Sequence, residues 1–314
     1  MKKSLWKKRA KNAFWVVFVV GGLWVAFAPH TRLTPRPSVT VKVQKPPLLE
    51  EPKLEPSQNL GGEEQAPQNL PLPGGGGVSV PVVPEPVVPR PAGHPAKIAI
   101  VIDDVGPDLK GSERAIRLPA SVTLSFLPYA VRLREQASAA REGGHELLLH
   151  MPMEPVGHEN PGSGALMVEM PMSDLQQRFE EALASFTGFD GVNNHMGSKF
   201  TAYADGMNMV VDELQQRHLF FLDSRTSTQS VGRKIAEEKG VPSISRDIFL
   251  DDDTSPDAIR KQLEATERLA QRKGYAVAIG HPHATTMEVL EAWTAEARAR
   301  GFELVPLKGL VSGK

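Results

Sequence analysis

Residues 97–314 predict an α/β domain whose parallel sheet is bent into a barrel. Two observations carry this. Short β-rich runs alternate with amphipathic helical stretches, the pattern of a parallel sheet. Seven or eight such units favour closure into a barrel. A third observation points to function: strand after strand is followed by an ionisable residue, where parallel strands would bring their C-terminal ends to one rim.

The N-terminus is a separate region. Residues 1–11 carry Lys2, Lys3, Lys7, Lys8, Arg9 and Lys11 and no acid. Residues 12–28 follow without a charge, 17 residues in all. As a helix this run is about 25 Å long, at the short end of a bilayer span. Lysines on one side keep that side in the cytoplasm. The expectation is a single-pass inner-membrane anchor with the C-terminal domain in the periplasm. The alternative is a secreted protein cleaved near Ala28, after Ala26-Phe27-Ala28. Pro29 directly after that point disfavours cleavage.

Residues 29–96 hold 16 of the 27 prolines, the run Gly74 to Gly77 and no aromatic residue. Such a segment cannot bury enough apolar surface to offset its ordering entropy, so it reads as a disordered, extended linker. Its role would be reach from the membrane.

Composition removes several functions. The net charge is -1, which offers no bulk electrostatic footprint for nucleic acid. There is no cysteine, so disulfides, thiolate catalysis and cysteine-ligated zinc are excluded.

In the domain, strands are expected at 97–103, 122–127, 145–149, 191–194, 218–222, 243–250, 275–279 and 302–306. A helix at 173–186 places Leu175, Phe179, Ala182, Leu183 and Phe186 on one face. Another starts at Ser255-Pro256, a capping residue followed by proline at the first helical position. A third covers 285–300.

The first strand is followed by Asp103 and Asp104, the third by His150, and the fourth leads to His195. Later strands are followed by Asp223, by Asp251 to Asp253, and by His281 and His283. Four of the nine histidines thus share one rim, more than scattered surface charge accounts for. Imidazole with carboxylate suits zinc, manganese, iron, cobalt or nickel. A site of this kind makes a nucleophile of water at neutral pH. A carboxylate beside it takes a proton and a histidine returns one.

Seven stretches carry a resemblance: IAIVIDDVG (98–106), LSFLPYA (124–130), GHELLLHMPMEP (144–155), NNHMGSKFT (193–201), FFLDSRTS (220–227), SRDIFLDDD (245–253) and AIGHPHATT (278–286). In this order they resemble the divergent polysaccharide deacetylases, a branch of the superfamily with the NodB homology fold. The resemblance implies a deformed (β/α) barrel and metal-dependent removal of acetyl groups from an aminosugar polymer such as peptidoglycan. Zinc stands first among the divalent ions. By position, Asp103 would be the general base, Asp104 a metal ligand and His150 the first metal-binding histidine. Relatives carry a second histidine four residues later, where this chain has Glu154. Either Glu154 ligates or His195 completes the set, and His195 is favoured. The late acid histidine would be His281 or His283, with His281 favoured.

Blander roles stand beside these. Asp103 and Asp104 could cap a turn, Asp223 could pair with Arg225, and the Asp251 to Asp253 run could cap a helix or orient a catalytic group. His145, His158 and His218 read as structural. The Glu154 departure and the long tether motivate a second functional reading: a catalytically degenerate glycan-binding or envelope-organising module on the same fold.

Overall fold

Aliphatic residues on both faces of AKIAIVIDDV make β1 (Ala96–Val105) a central strand, buried along nearly its whole length. Side chains alternate across it. Ile98, Ile100 and Ile102 pack with the helices, while Ala99 and Val101 join a second cluster with Leu148, Phe220, Leu222, Ile244, Val277 and Ile279. The second cluster contains no residue of the surrounding helices and fills the inside of a curled sheet.

The computed structural model describes residues 95–311. The expected membrane segment and nearly all of the expected linker lie outside the described residues. Among the described residues, no helix is long and apolar enough to cross a membrane.

From β1 the chain runs through α1 (Leu109–Ile116), β2 (Thr123–Phe126), α2 (Leu133–Glu142), β3 (Leu147–Met153), α3 (Met172–Leu183), β4 (Gly191–Met196) and α4 (Ala204–Arg217). It continues through β5 (Phe220–Asp223), α5 (Gly232–Glu238), β6 (Ser243–Ser245), β7 (Ile248–Phe249), α6 (Pro256–Lys273), β8 (Tyr275–Gly280), α7 (Ala284–Ala297) and β9 (Phe302–Leu304). The sheet order is β6-β5-β4-β3-β2-β1-β8-β7, with β9 also paired to β1. Every pairing is parallel.

The expected strand 243–250 is two strands. β6 pairs with β5 and β7 pairs with β8, at opposite ends of the sheet order. Between them the Arg246 N–H bonds the Asp223 carbonyl at 3.0 Å, and the Asp247 N–H bonds the Val277 carbonyl at 2.9 Å. Two residues of backbone therefore bridge the gap that a ladder would close in a regular barrel. This is the deformation of the barrel.

Three other strands run further than their sequence signal. β1 reaches Val105, β3 reaches Met153 and β4 reaches Met196. β3 and β4 sustain each other, with Leu148 to Met153 opposite Gly191 to Met196. A proline at 152 and polar residues at 193–195 hide this from a propensity reading. The opposite end of the barrel is plugged by the C-terminal turn Leu307–Gly309. Thr123 Oγ1 accepts the Leu307 N–H at 3.0 Å, and the buried Glu146 carboxylate accepts the Lys308 N–H at 3.0 Å.

Gly106 lets the chain leave β1 close to the β2 loop. Its φ is +122°, and a Cβ there would meet the Ala130 Cβ at 2.2 Å. Gly106→Ala should cost about 2–4 kcal/mol through strain and overlap combined. Urea unfolding reads this as a lower midpoint at unchanged slope; a wild-type midpoint would show that the loop yields without cost.

Candidate metal centre and acid–base groups

Strand parity decides which side chains reach the mouth of the barrel. On β1, Ala99 and Val101 point inward, and Asp103 follows them. On β3, Leu148 leads to His150. On β4, Gly191, Asn193 and His195 lie opposite Leu148, His150 and Pro152. On β8, Val277 and Ile279 lead to His281. The lining changes from apolar to polar within one step along each strand.

Asp104 breaks this alternation. As Asp103's neighbour it should face the helices. Instead the β1–β2 register shifts between Ile102 and Val105, and Asp104 has φ 54°. A left-handed residue with a side chain costs about 1–2 kcal/mol. The bulge re-aims the carboxylate, so two consecutive acids serve one site.

Asn193 ties the centre together. Its Nδ2 donates to both Asp103 oxygens, at 2.9 and 3.1 Å, and to Ser224 Oγ at 3.1 Å. Its Oδ1 accepts from Ser125 Oγ at 2.6 Å and lies 2.9 Å from His150 Nδ1. An acceptor on that side places the His150 proton on Nδ1. The Nε2 atom then faces the carboxylates.

Three atoms converge there. Asp104 Oδ1 lies 3.2 Å from His150 Nε2 and 2.8 Å from His195 Nδ1. The two imidazole nitrogens are 3.2 Å apart. Atoms bound to one ion at about 2.1 Å, roughly 90–110° apart, lie about 3.0–3.4 Å from each other. Asp104 Oδ1 is also buried with no aligned hydrogen-bond donor. A proton shared by the two imidazoles would still leave that oxygen without one. The donor set and its spacing fit a divalent cation.

The electrostatics agree. Burial pushes the Asp104 carboxyl up, but the imidazoles of His150 and His195 outweigh it and hold it well below the usual carboxylate range. Burial pushes His150 down, yet the charges of Asp103 and Asp104 raise it overall. Two carboxylates demand positive charge at this point, and a metal ion competes with a proton to supply it.

A second group stands on β8 and the segment after β7. Asp251 Oδ1 lies 3.0 Å from His281 Nδ1, while its Oδ2 accepts the His281 N–H at 2.7 Å and the Thr286 hydroxyl at 2.8 Å. Asp251 is the member of the 251–253 run that orients a histidine. His283 is exposed, with its ring 5.8 Å from that of His281. Asp251, His281 and His283 offer ligand-type atoms within 4.8 Å of one another.

Two candidates lie elsewhere. Glu154 anchors the long β3–α3 loop: Oε1 accepts Lys199 Nζ at 2.7 Å and Oε2 accepts the Val168 N–H at 2.6 Å. Of the two options for the third position, His195 joins Asp104 and His150, and Glu154 does not. Asp223 holds its own loop, accepting the Arg225 N–H at 2.8 Å and the Ser230 hydroxyl at 2.8 Å. His145 spans the Val122 and Ile116 carbonyls at 2.8 and 3.0 Å, and His218 ends α4 with φ 57°. Both are structural.

The sequence reading missed Asn193 as the bridge and Ser125, Ser224 and Arg246 around it. A signal for Asn193 existed: it stands two residues before His195 on an alternating strand. None existed for the others.

Burial pushes His281 down, but Asp251 outweighs it and holds it at about 9. An unfolded histidine titrates near ~6.5. The pair therefore stabilises the fold fully below about pH 6.5 and loses that contribution as pH rises through about 9. Asp251→Asn should lower the His281 midpoint in an NMR titration and flatten the alkaline loss of Tm. An unmoved midpoint would show that Asp251 is not the cause.

Residues 100–311 match the family model described as divergent polysaccharide deacetylase. An uncharacterized protein of Haemophilus influenzae is 40% identical over 197 residues, covering 63% of this chain and 70% of that protein. The uncharacterized protein YibQ of Escherichia coli K12 is 36% identical over 195 residues, covering 62% of this chain and 61% of YibQ. The crystal structure of uncharacterized protein ATU2773 from Agrobacterium tumefaciens C58 superposes with a TM-score of 0.68 at 32% identity, over 71% of this chain and 92% of that one. With two-thirds of its length matched by the family model, the chain belongs to the divergent polysaccharide deacetylases.

Proposed function

We propose that this chain is a metal-dependent deacetylase acting on an acetylated glycan of the cell envelope, with peptidoglycan the first candidate. The observation that carries the reading is the convergence of Asp104, His150 and His195 beside the buried Asp103. Those three residues would hold the ion, zinc first among those the donor set suits. When bound, it would supply Lewis acidity toward water and the acetyl carbonyl.

The chain's own residues do the rest. Asp103, fixed by both hydrogen bonds from Asn193, takes the proton of the attacking water. Asn193 also keeps the His150 proton on Nδ1, away from the ion. His281, protonated up to about 9, gives its proton to the departing amine. Asp251 holds its Nδ1, which leaves Nε2 as the donating atom.

The location we propose is the inner membrane, with the domain in the periplasm. It rests on the one-sided lysines and the uncharged run at 12–28. Release after cleavage near Ala28 would export the same domain.

The test uses the full-length chain in detergent, stripped of metal and reloaded with zinc, manganese or cobalt. Wild type should take up about one ion per site and release acetate from N-acetylated oligosaccharides or peptidoglycan. Asp103→Asn should slow release by about 10²–10⁴-fold with metal uptake retained. His195→Ala should weaken metal affinity by at least about tenfold. Metal uptake without acetate from any substrate would favour the non-catalytic glycan-binding reading. So would cellular function that survives Asp103→Asn.

A further inference from the structure

We propose that Arg225 and the cavity beside it form an anion subsite that receives a carboxylate carried by the glycan. The inference rests on the carbohydrate reading above and narrows its substrate to an acidic polymer.

Arg225 follows β5, the neighbour of the strand that bears His195. Its φ is 49°, a left-handed conformation that strains a residue with a side chain. The backbone is held there from both sides. Asp223 Oδ1 accepts the Arg225 N–H at 2.8 Å, and Arg246 Nη2 donates to the Arg225 carbonyl at 2.8 Å. Arg246 Nε adds a bond to the Ser224 carbonyl at 2.7 Å. A buried carboxylate and a guanidinium are thus both engaged in presenting this one residue.

The cavity it lines has a volume of about 240 Å³ and also draws on Ser227, Thr228, Arg233 and Lys234. At roughly 30 Å³ per water this is room for a carboxylate on a short carbon arm. Two acids reach the same cavity, and both are engaged. Asp223 has one oxygen on the Arg225 N–H and the other on Ser230. Glu237 accepts Arg233 Nε at 3.0 Å. Among the described residues, no carboxylate pairs with the Arg225 guanidinium.

Arg246 braces the Arg225 backbone. Burial holds its guanidinium below the usual value, opposed by the charge of Asp103 and assisted by repulsion from Arg225. Arg246 donates to the Ser224 and Arg225 carbonyls, and the carboxylates of Asp103, Asp223 and Asp247 stand near it. A guanidinium without a partner, next to a second one, over a hydroxyl-lined cavity, matches a planar oxyanion that can accept two parallel hydrogen bonds.

The experiment measures binding, not turnover. Full-length wild type and Asp103→Asn are titrated with an acetylated aminosugar oligosaccharide bearing an ether-linked carboxylate. The comparison ligand is the same oligosaccharide with that carboxylate reduced to an alcohol. The acidic form should bind about tenfold more tightly, as a charge-assisted pair predicts. Arg225→Gln should remove the preference and leave the affinity for the reduced form unchanged. Arg225→Lys should retain part of it and guards against a folding artefact. Equal affinities in wild type, or a preference that persists in Arg225→Gln, would overturn the subsite. The two readings separate cleanly. Acetate release without carboxylate preference sinks the subsite alone, and carboxylate preference without acetate release sinks the hydrolase alone.

Discussion

Two carboxylates stand side by side at the end of one buried strand, and the upper barrel is arranged around keeping both there. A buried carboxylate without compensation is expensive. Asp103 is compensated by one amide, which donates to both of its oxygens. Asp104 is compensated by two imidazoles that come within 3.2 Å but leave its Oδ1 without an aligned donor. The difference is chemical. The first carboxylate is satisfied by its donors, while the second keeps one oxygen open, which is the basis for the proposed roles of base and ligand. The bulge on β1 makes this division possible, because an undistorted strand would send the two side chains to opposite faces.

Much of this was legible in the residues. Short β-rich runs between amphipathic helical stretches identified the strands, and the ionisable groups that follow them marked the rim. Asp103, His150 and His195 reach the mouth as strand parity predicts, Asp104 joins them only through the bulge, and His281 stands in a second group with Asp251. Three features were hidden. Strand ends at Met153 and Met196 depend on β3 and β4 pairing with each other, which no local propensity reports. The split of 243–250 depends on two distant partners, β5 and β8, pulling consecutive residues to opposite ends of the sheet order. Asp251 looked like one of three equivalent acids, and only packing against His281 and Thr286 separates it from its neighbours.

The substitution at Glu154 illustrates the limit of reading spacing alone. Glu154 directly follows β3, four residues after His150. Yet Glu154 turns to Lys199 and the Val168 N–H; burial pushes its carboxyl up, but these two partners outweigh it and hold it below the usual carboxylate range. It is His195, one strand over and opposite Pro152, that stands with Asp104 and His150. Moving a ligand between adjacent parallel strands preserves its height on the rim. A missing histidine in the sequence is therefore weak grounds for a lost metal site when the neighbouring strand carries one at the same level.

Backbone strain at the rim follows the same logic. Asp104, Met196 and Arg225 all have positive φ, and each ends or follows a strand that borders the centre. Glycine would relieve each position but would remove the side chain or the clamp. At Met196 the carbonyl is held by Asn194 Nδ2 at 2.7 Å and by Thr226 Oγ1 at 2.8 Å, which locks the chain directly after His195. At Arg225 the clamp comes from Asp223 and Arg246. At Asp104 and Arg225 a costly backbone conformation is retained where it sets the direction of a charged side chain, and at Met196 where it turns the chain directly after His195. Strain of that kind persists only if the surrounding contacts over-determine it. The polar network of Asn193, Asn194, Ser224 and Arg246 supplies such contacts at the mouth of the barrel.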